Sequence, residues 1–84
     1  MSKKFYKFEK PKTKDIDLMK NRFSELVYEK RTALGLSQQS LADLIGVDRK
    51  TINRIENGHF SPNLDTMLRM VIVLKLSSKQ IFEV

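Results

Sequence analysis

The chain has no cysteine, a single histidine, three glycines and two prolines among its 84 residues. Absence of cysteine excludes a disulfide framework and a thiolate metal site. His59 stands alone, with no carboxylate cluster at ligand spacing, so no metal site and no other cofactor is expected. There is no Ser/His/Asp set, no phosphate-binding loop and no dinucleotide fingerprint, and the chain is therefore not expected to be an enzyme. No stretch approaches the ~20 apolar residues that a bilayer crossing requires. The charged N-terminus is followed by no apolar run, so no signal peptide is expected and the expected location is cytoplasmic. A chain of this length makes one domain with a modest core and little spare surface for a small-molecule ligand site.

What the chain does have is cationic charge, unevenly placed within a net +6. Residues 1–14 hold Lys3, Lys4, Lys7, Lys10, Lys12 and Lys14 against Glu9 alone, a balance of +5. The remainder carries ten Lys or Arg against nine Asp or Glu, a balance of +1. The excess thus belongs to an N-terminal arm, and the body is nearly neutral. A neutral body still presents a basic face where its cations cluster, so a polyanion partner is expected. The arm shows no sustained helical period, and Pro11 interrupts it. Phe5, Tyr6 and Phe8 distinguish it from a purely solvated tail. Three readings stand: phosphate contact, docking of the aromatics on the body or a second subunit, and disorder. Phosphate contact with partial disorder in the free protein is preferred.

From about Asp15 a helical period sets in. Ile16, Met19, Phe23, Leu26, Val27 and Leu34 fall on one stripe. Thr13, Asp15 and Asp17 are alternative caps for its start, and Gly35 supplies a left-handed stop. Ser37 caps a second helix whose apolar face is Leu41, Ala42, Leu44 and Ile45, ended by Gly46. Asp48 caps a third, with Ile52 and Ile55 inward and Gly58 after its last turn. A fourth helix is expected from near Asn63 through Leu64, Met67, Leu68, Val71, Ile72 and Leu74. A short fifth follows from Lys79 to about Glu83, carrying Ile81 and Phe82.

Only Gly46-Val47-Asp48 joins the second and third helices, so they must cross steeply. Close approach demands the small Ala42, and the turn demands positive φ at Gly46, which glycine permits without steric cost. Val47 plugs the gap beneath, while Ile52 and Ile55 anchor the third helix on the second. That joint pattern marks residues 36–58 as a helix-turn-helix unit. The run LGLSQQSLADLIGVDRKTINRIENG, with Pro62, Leu64, Thr66, Leu68 and the Leu74 to Phe82 tail, resembles the phage repressor/Cro-type (XRE-like) helix-turn-helix family. The segment YEKRTALGLSQ also resembles the first helix of phage-repressor DNA-binding domains. The resemblance covers roughly residues 24–82. One departure is Lys75, where the family usually has a glycine ending the fourth helix.

The resemblance implies an all-α, compact, five-helix lambda-repressor-like domain over residues 15–84, preceded by the basic arm 1–14. In this docking mode the third helix enters the major groove of double-stranded DNA. Removing the buried positions leaves Arg49, Lys50, Asn53, Arg54 and Asn57 facing outward. Arg49, Lys50, Asn53 and Arg54 are the expected base readers, since Arg and Lys pair with guanine and Asn with adenine. A solvated amphipathic face is the plainer reading of such residues, which the turn geometry outweighs. Gln38 matches the family position that clamps a phosphate at a helix N-terminus. Thr51, Asn57, His59 and Phe60 match phosphate-contacting positions, although Phe60 is equally readable as a packing residue. Lys3, Lys4 and Lys7 match the Lys-bearing arm of some phage repressors. Arg31 and Glu56 match a structural ion pair tying helix one to helix three. The implied function is a repressor binding a palindromic operator as a homodimer, with Ile81, Phe82 and Val84 as the expected interface. The rivals are an antitoxin with the same fold, a protein-interaction module and a nonspecific nucleic-acid binder. A toxin or antirepressor is the protein partner those alternatives would bring.

Overall fold

The computed structural model describes residues 8–59 and 61–82, and among them five helices and no strand occur. These are α1 (Thr13–Ala33), α2 (Gln38–Ile45), α3 (Arg49–Glu56), α4 (Leu64–Leu74) and α5 (Ser78–Phe82). Four of the five start on a side chain that accepts the amide three residues later. Ser37 accepts from Ser40, Asp48 from Thr51, Asn63 from Thr66 and Ser77 from Gln80. Gln80 also accepts the Ser77 amide, which completes a capping box and starts α5 one residue earlier than expected. α1 is the exception. It starts at Thr13 with Lys12 in the cap position and no side-chain cap, so Thr13, Asp15 and Asp17 do not cap it.

Helix ends follow one design. After each of α1 to α4 a residue turns left-handed, and the next amide returns to a carbonyl five residues back. The left-handed residues are Gly35, Gly46, Gly58 and Lys75. The returning bonds run from Leu36 to Arg31, Val47 to Ala42, His59 to Arg54 and Leu76 to Val71. Gly46 has the least room: a Cβ there would stand 3.2 Å from Arg69 Nη1, which donates to the Ile45 carbonyl. Lys75, with φ 56°, makes the same turn while carrying a side chain.

The core is built from Phe23, Leu26 and Val27 of α1, Leu41, Ala42 and Ile45 of α2, and Ile52 and Ile55 of α3. Met70 and Leu74 of α4, Leu76 and Ile81 complete it, and Val47 is partly buried against it. α1 packs on α3, α4 and α5, while α2 packs on α3 and α4. Not every residue of the apolar stripes is buried. Ile16, Leu34 and Leu44 are exposed, and Ile16 and Met19 border an open apolar groove with Phe23, Ile55, Met67 and Phe82. On α4 the buried side is Met70 and Leu74, whereas Leu64, Leu68 and Ile72 are exposed. Eight of the eleven residues of α4 are apolar, so periodicity could not choose its inner face. Ile81 is a core residue at 6% exposure, which removes it from the expected dimer interface. Phe82 remains 57% exposed, and Val84 lies outside the described residues.

Replacing Lys75 with glycine is expected to stabilise the fold by about 0.5–1 kcal/mol, the left-handed strain removed less the added chain entropy of glycine. A higher urea midpoint at unchanged slope would register it; a lower midpoint would show that Lys75 is not strained. The two hydrogen bonds from Thr51 to Asp48, first from its hydroxyl and then from its amide, hold the Asp48 carboxyl below the usual aspartate range. The stability this cap adds is present above the ordinary aspartate value and is lost as pH falls through the lowered one. Thr51→Val removes the hydroxyl donor, so the Asp48 titration followed by NMR should move upward.

Candidate nucleic-acid interface

α3 divides cleanly into two sides. Ile52 and Ile55 are buried against the body, while Arg49, Lys50, Arg54 and Asn57 are exposed with Asn53 half-buried between them. All five expected outward residues are therefore brought onto one surface. Lys50 and Arg54 make no side-chain hydrogen bond or ion pair among the described residues, so their donors face solvent unengaged. Asn57 donates its side-chain amide to the Asn53 carbonyl at 2.9 Å and to Asn53 Oδ1 at 2.6 Å, which fixes both amides at the end of the helix. Two free cationic side chains on a helix packed against the body suit a polyanion with hydrogen-bond acceptors along its edge.

One carboxylate ties that helix to α1 and α2. Glu56 accepts from Arg31 Nε at 2.5 Å and Nη2 at 3.0 Å, a two-pronged pair in which the Arg31 and Glu56 side chains are 10% and 5% exposed. Arg31 also donates to the Leu36 carbonyl at 2.8 Å and lies over the Tyr28 ring, 5.5 Å from its centroid. The hydrogen bonds to Glu56 raise the Arg31 guanidinium above its already high ordinary value, against the opposing effect of burial. Glu56 Oε1 takes a further bond from Gln38 Nε2 at 3.0 Å. Gln38, half-buried at the start of α2, holds its own oxygen 3.4 Å from Arg49 Nη1. The expected ion pair is present, and its hydrogen bonds reach both ends of α3.

The expected phosphate contacts lie at the rim. The amides of Thr51, Asn57 and His59 are all bonded within the chain, to Asp48, Asn53 and Arg54 respectively. Only their side chains are left for an anion, and of these the Thr51 hydroxyl already serves Asp48 and the Asn57 amide already serves Asn53. His59 is exposed in the loop before α4. Phe60, Lys3, Lys4 and Lys7 lie outside the described residues. Two contributors were missed, Tyr28 beneath Arg31 and Arg69, which reaches from α4 to the end of α2. Arg69 leaves no local signal, because it serves a main-chain carbonyl 24 residues away, whereas Tyr28 lies one helical turn before Arg31 on α1, a spacing that could have found it. Among the described residues no His, Cys, Asp or Glu group has the makings of a metal site.

Arg31→Met leaves a buried carboxylate without its counter-charge and is expected to cost about 3–5 kcal/mol in urea unfolding. Converting Glu56 to Leu in the same chain should return a large part of that loss. Additive losses would mean that the charge is not what matters.

The comparisons with known proteins agree with this geometry. The helix-turn-helix family model HTH_3 matches residues 27–81, from the middle of α1 into α5. An uncharacterized HTH-type transcriptional regulator of Methanothermobacter thermautotrophicus is 49% identical over 39 residues, 46% of this chain and 56% of that protein's length. YgzD, an uncharacterized HTH-type transcriptional regulator of Bacillus subtilis, is 33% identical over 64 residues, 76% of this chain and 91% of YgzD. The restriction-modification controller protein C.AhdI from Aeromonas hydrophila has a similar structure, with a TM-score of 0.66 at 33% identity. That match covers 75% of this chain and 96% of C.AhdI. The chain belongs to the XRE-type helix-turn-helix family of DNA-binding transcriptional regulators.

Proposed function

We propose that this protein is a sequence-specific repressor that lays α3 in the major groove of a palindromic operator and binds as a homodimer. The observation that carries the reading is the outer face of α3, where Arg49, Lys50 and Arg54 are exposed on a helix locked to the core from behind. Arg and Lys suit guanine and Asn53 suits adenine, so the half-site contains both kinds of base pair. Gln38, Thr51, Asn57 and His59 contact phosphates by their side chains, and Lys3, Lys4 and Lys7 add contacts from the arm. A single domain of this size makes few contacts for the usual specific affinity, which favours two copies on half-sites ~34 Å apart. Exposed Leu64, Leu68 and Ile72 along α4, and Phe82 on α5, support a partner copy. No helix among the described residues is long and apolar enough to cross a membrane, which accords with work on DNA in the cytoplasm.

The likeness to C.AhdI favours a second reading, control of restriction-modification genes. An enriched binding site upstream of an endonuclease or methyltransferase gene would support it over the general one.

Selection of bound fragments from genomic DNA, followed by footprinting, tests the proposal. An enriched palindrome is expected. Arg49→Ala, Lys50→Ala and Arg54→Ala should each cost about 1–3 kcal/mol and relax preference at one position per half-site. Deleting residues 1–7 should make the log–log salt slope shallower by about 0.9 for each phosphate that the arm neutralises. Enrichment of no palindrome would sink the reading.

A further inference from the structure

The apolar groove beside the first half of α1 has a volume of about 380 Å³. Its α1 wall is Ile16, Met19, Lys20, Phe23 and Ser24, which recur at three- and four-residue spacing and so form one continuous helical stripe about 12 Å long. Phe23, Ile55 and Ile81 are its buried floor, and Pro62, Met67 and Phe82 supply the other walls. The α1 wall lies before residue 27, outside the residues by which the family is recognised.

The charge of the groove is one-sided. Among the described residues that line it, Lys20 and His59 are the ionisable ones, and no carboxylate is present. Both are exposed, and neither side chain has a hydrogen bond or ion pair among the described residues. Spread over its length, the volume gives a cross-section of roughly 30 Å², the width of one row of side chains rather than of a whole helix. An extended segment laid there would set its main-chain N–H and C=O groups against apolar walls that offer few partners. A helix arrives with those groups already bonded. The chain's own arm is a poor match, since Lys3, Lys4 and Lys7 would bring cations to a rim that already carries Lys20. A second copy presenting the same face would set hollow against hollow and Lys20 near its equal.

We infer that this groove is a docking site for an amphipathic helix of a partner protein, which seats one apolar row against Ile16, Met19 and Phe23 and turns carboxylates toward Lys20 and His59. The inference goes beyond the reading of DNA by α3 and stands independently of it.

The test uses the full-length protein and three synthetic helical peptides of about fifteen residues, long enough to hold a helix alone. One has a leucine row at helical spacing flanked by glutamates, the second has lysines in place of the glutamates, and the third has the leucines scrambled off the row. Binding is followed by NMR chemical-shift mapping. The acidic peptide is expected to shift the resonances of Met19, Phe23, Met67 and Phe82, the basic one to bind more weakly, and the scrambled one not to bind. Lys20→Glu should weaken the acidic peptide by about 3- to 10-fold and reverse the preference between the first two. Ile16→Lys, at an exposed position, should abolish binding with helicity and mass in solution unchanged. Equal binding of acidic and basic peptides, shifts away from the groove, or no binding would overturn the inference and leave the operator proposal standing. A fall in mass for Ile16→Lys would assign the groove to a second copy, and binding that appears only after deletion of residues 1–7 would assign it to the arm; either overturns the inference.

Discussion

The carboxylate of Glu56 is taken out of water and must have its lone pairs filled from the protein. Arg31 supplies two donors from α1, and Gln38 supplies a third from α2. A buried charge of this kind is tolerable only when its partners are complete, because each missing bond is costly in a low-dielectric site. Completeness is geometric: the three helices satisfy it together in one mutual arrangement. Arg31 gives a further bond to the Leu36 carbonyl, at the bend where α1 leads into α2. The orientation of α3 on the body is therefore held by the ion pair at its C-terminal end and by Ile52 and Ile55 along its inner side.

The short turn does the rest. Gly46 supplies the left-handed residue, Val47 a half-buried plug and Asp48 the cap for α3. Arg69 reaches from α4 to the last carbonyl of α2 and braces the outside of the bend. The result is a pair of helices tied by hydrogen bonds to α1 and α4. Lys50 and Arg54 keep their donors for an outside partner. In the proposed binding of DNA, ordering already done by the scaffold leaves less entropy to be lost.

How far this was legible in the sequence depended on the range of the interaction. Ser37, Asp48 and Asn63 announced themselves, since a cap and its amide are three residues apart. Gly35, Gly46 and Gly58 did so for the same local reason, and Lys75 stood out as the place where that rule carries a side chain. The reading unit 36–58 and its outward residues followed from spacing. The Arg31–Glu56 pair was legible only through resemblance, because 25 residues separate its partners. The inner face of α4 stayed open, since apolar residues lie all round it and no period singles out Met70 and Leu74. Ile81 was misplaced for a related reason. Its nearness to the chain's end said nothing about α5 folding back onto α1, where Arg22 meets the Gln80 carbonyl.

By itself the sequence determined where each helix of the reading unit begins and stops, and which side of α3 faces out. Those features depend on dihedral preferences and hydrogen bonds spanning three to five residues, which composition and spacing encode directly. Only the tertiary structure decided which face of α4 is buried, that Ile81 belongs to the core, and that Gln38 joins Glu56 to Arg49. Each of these is a contact between separate segments of the chain. Such contacts are chosen by what the whole fold can pack and satisfy together, and no local window holds that information.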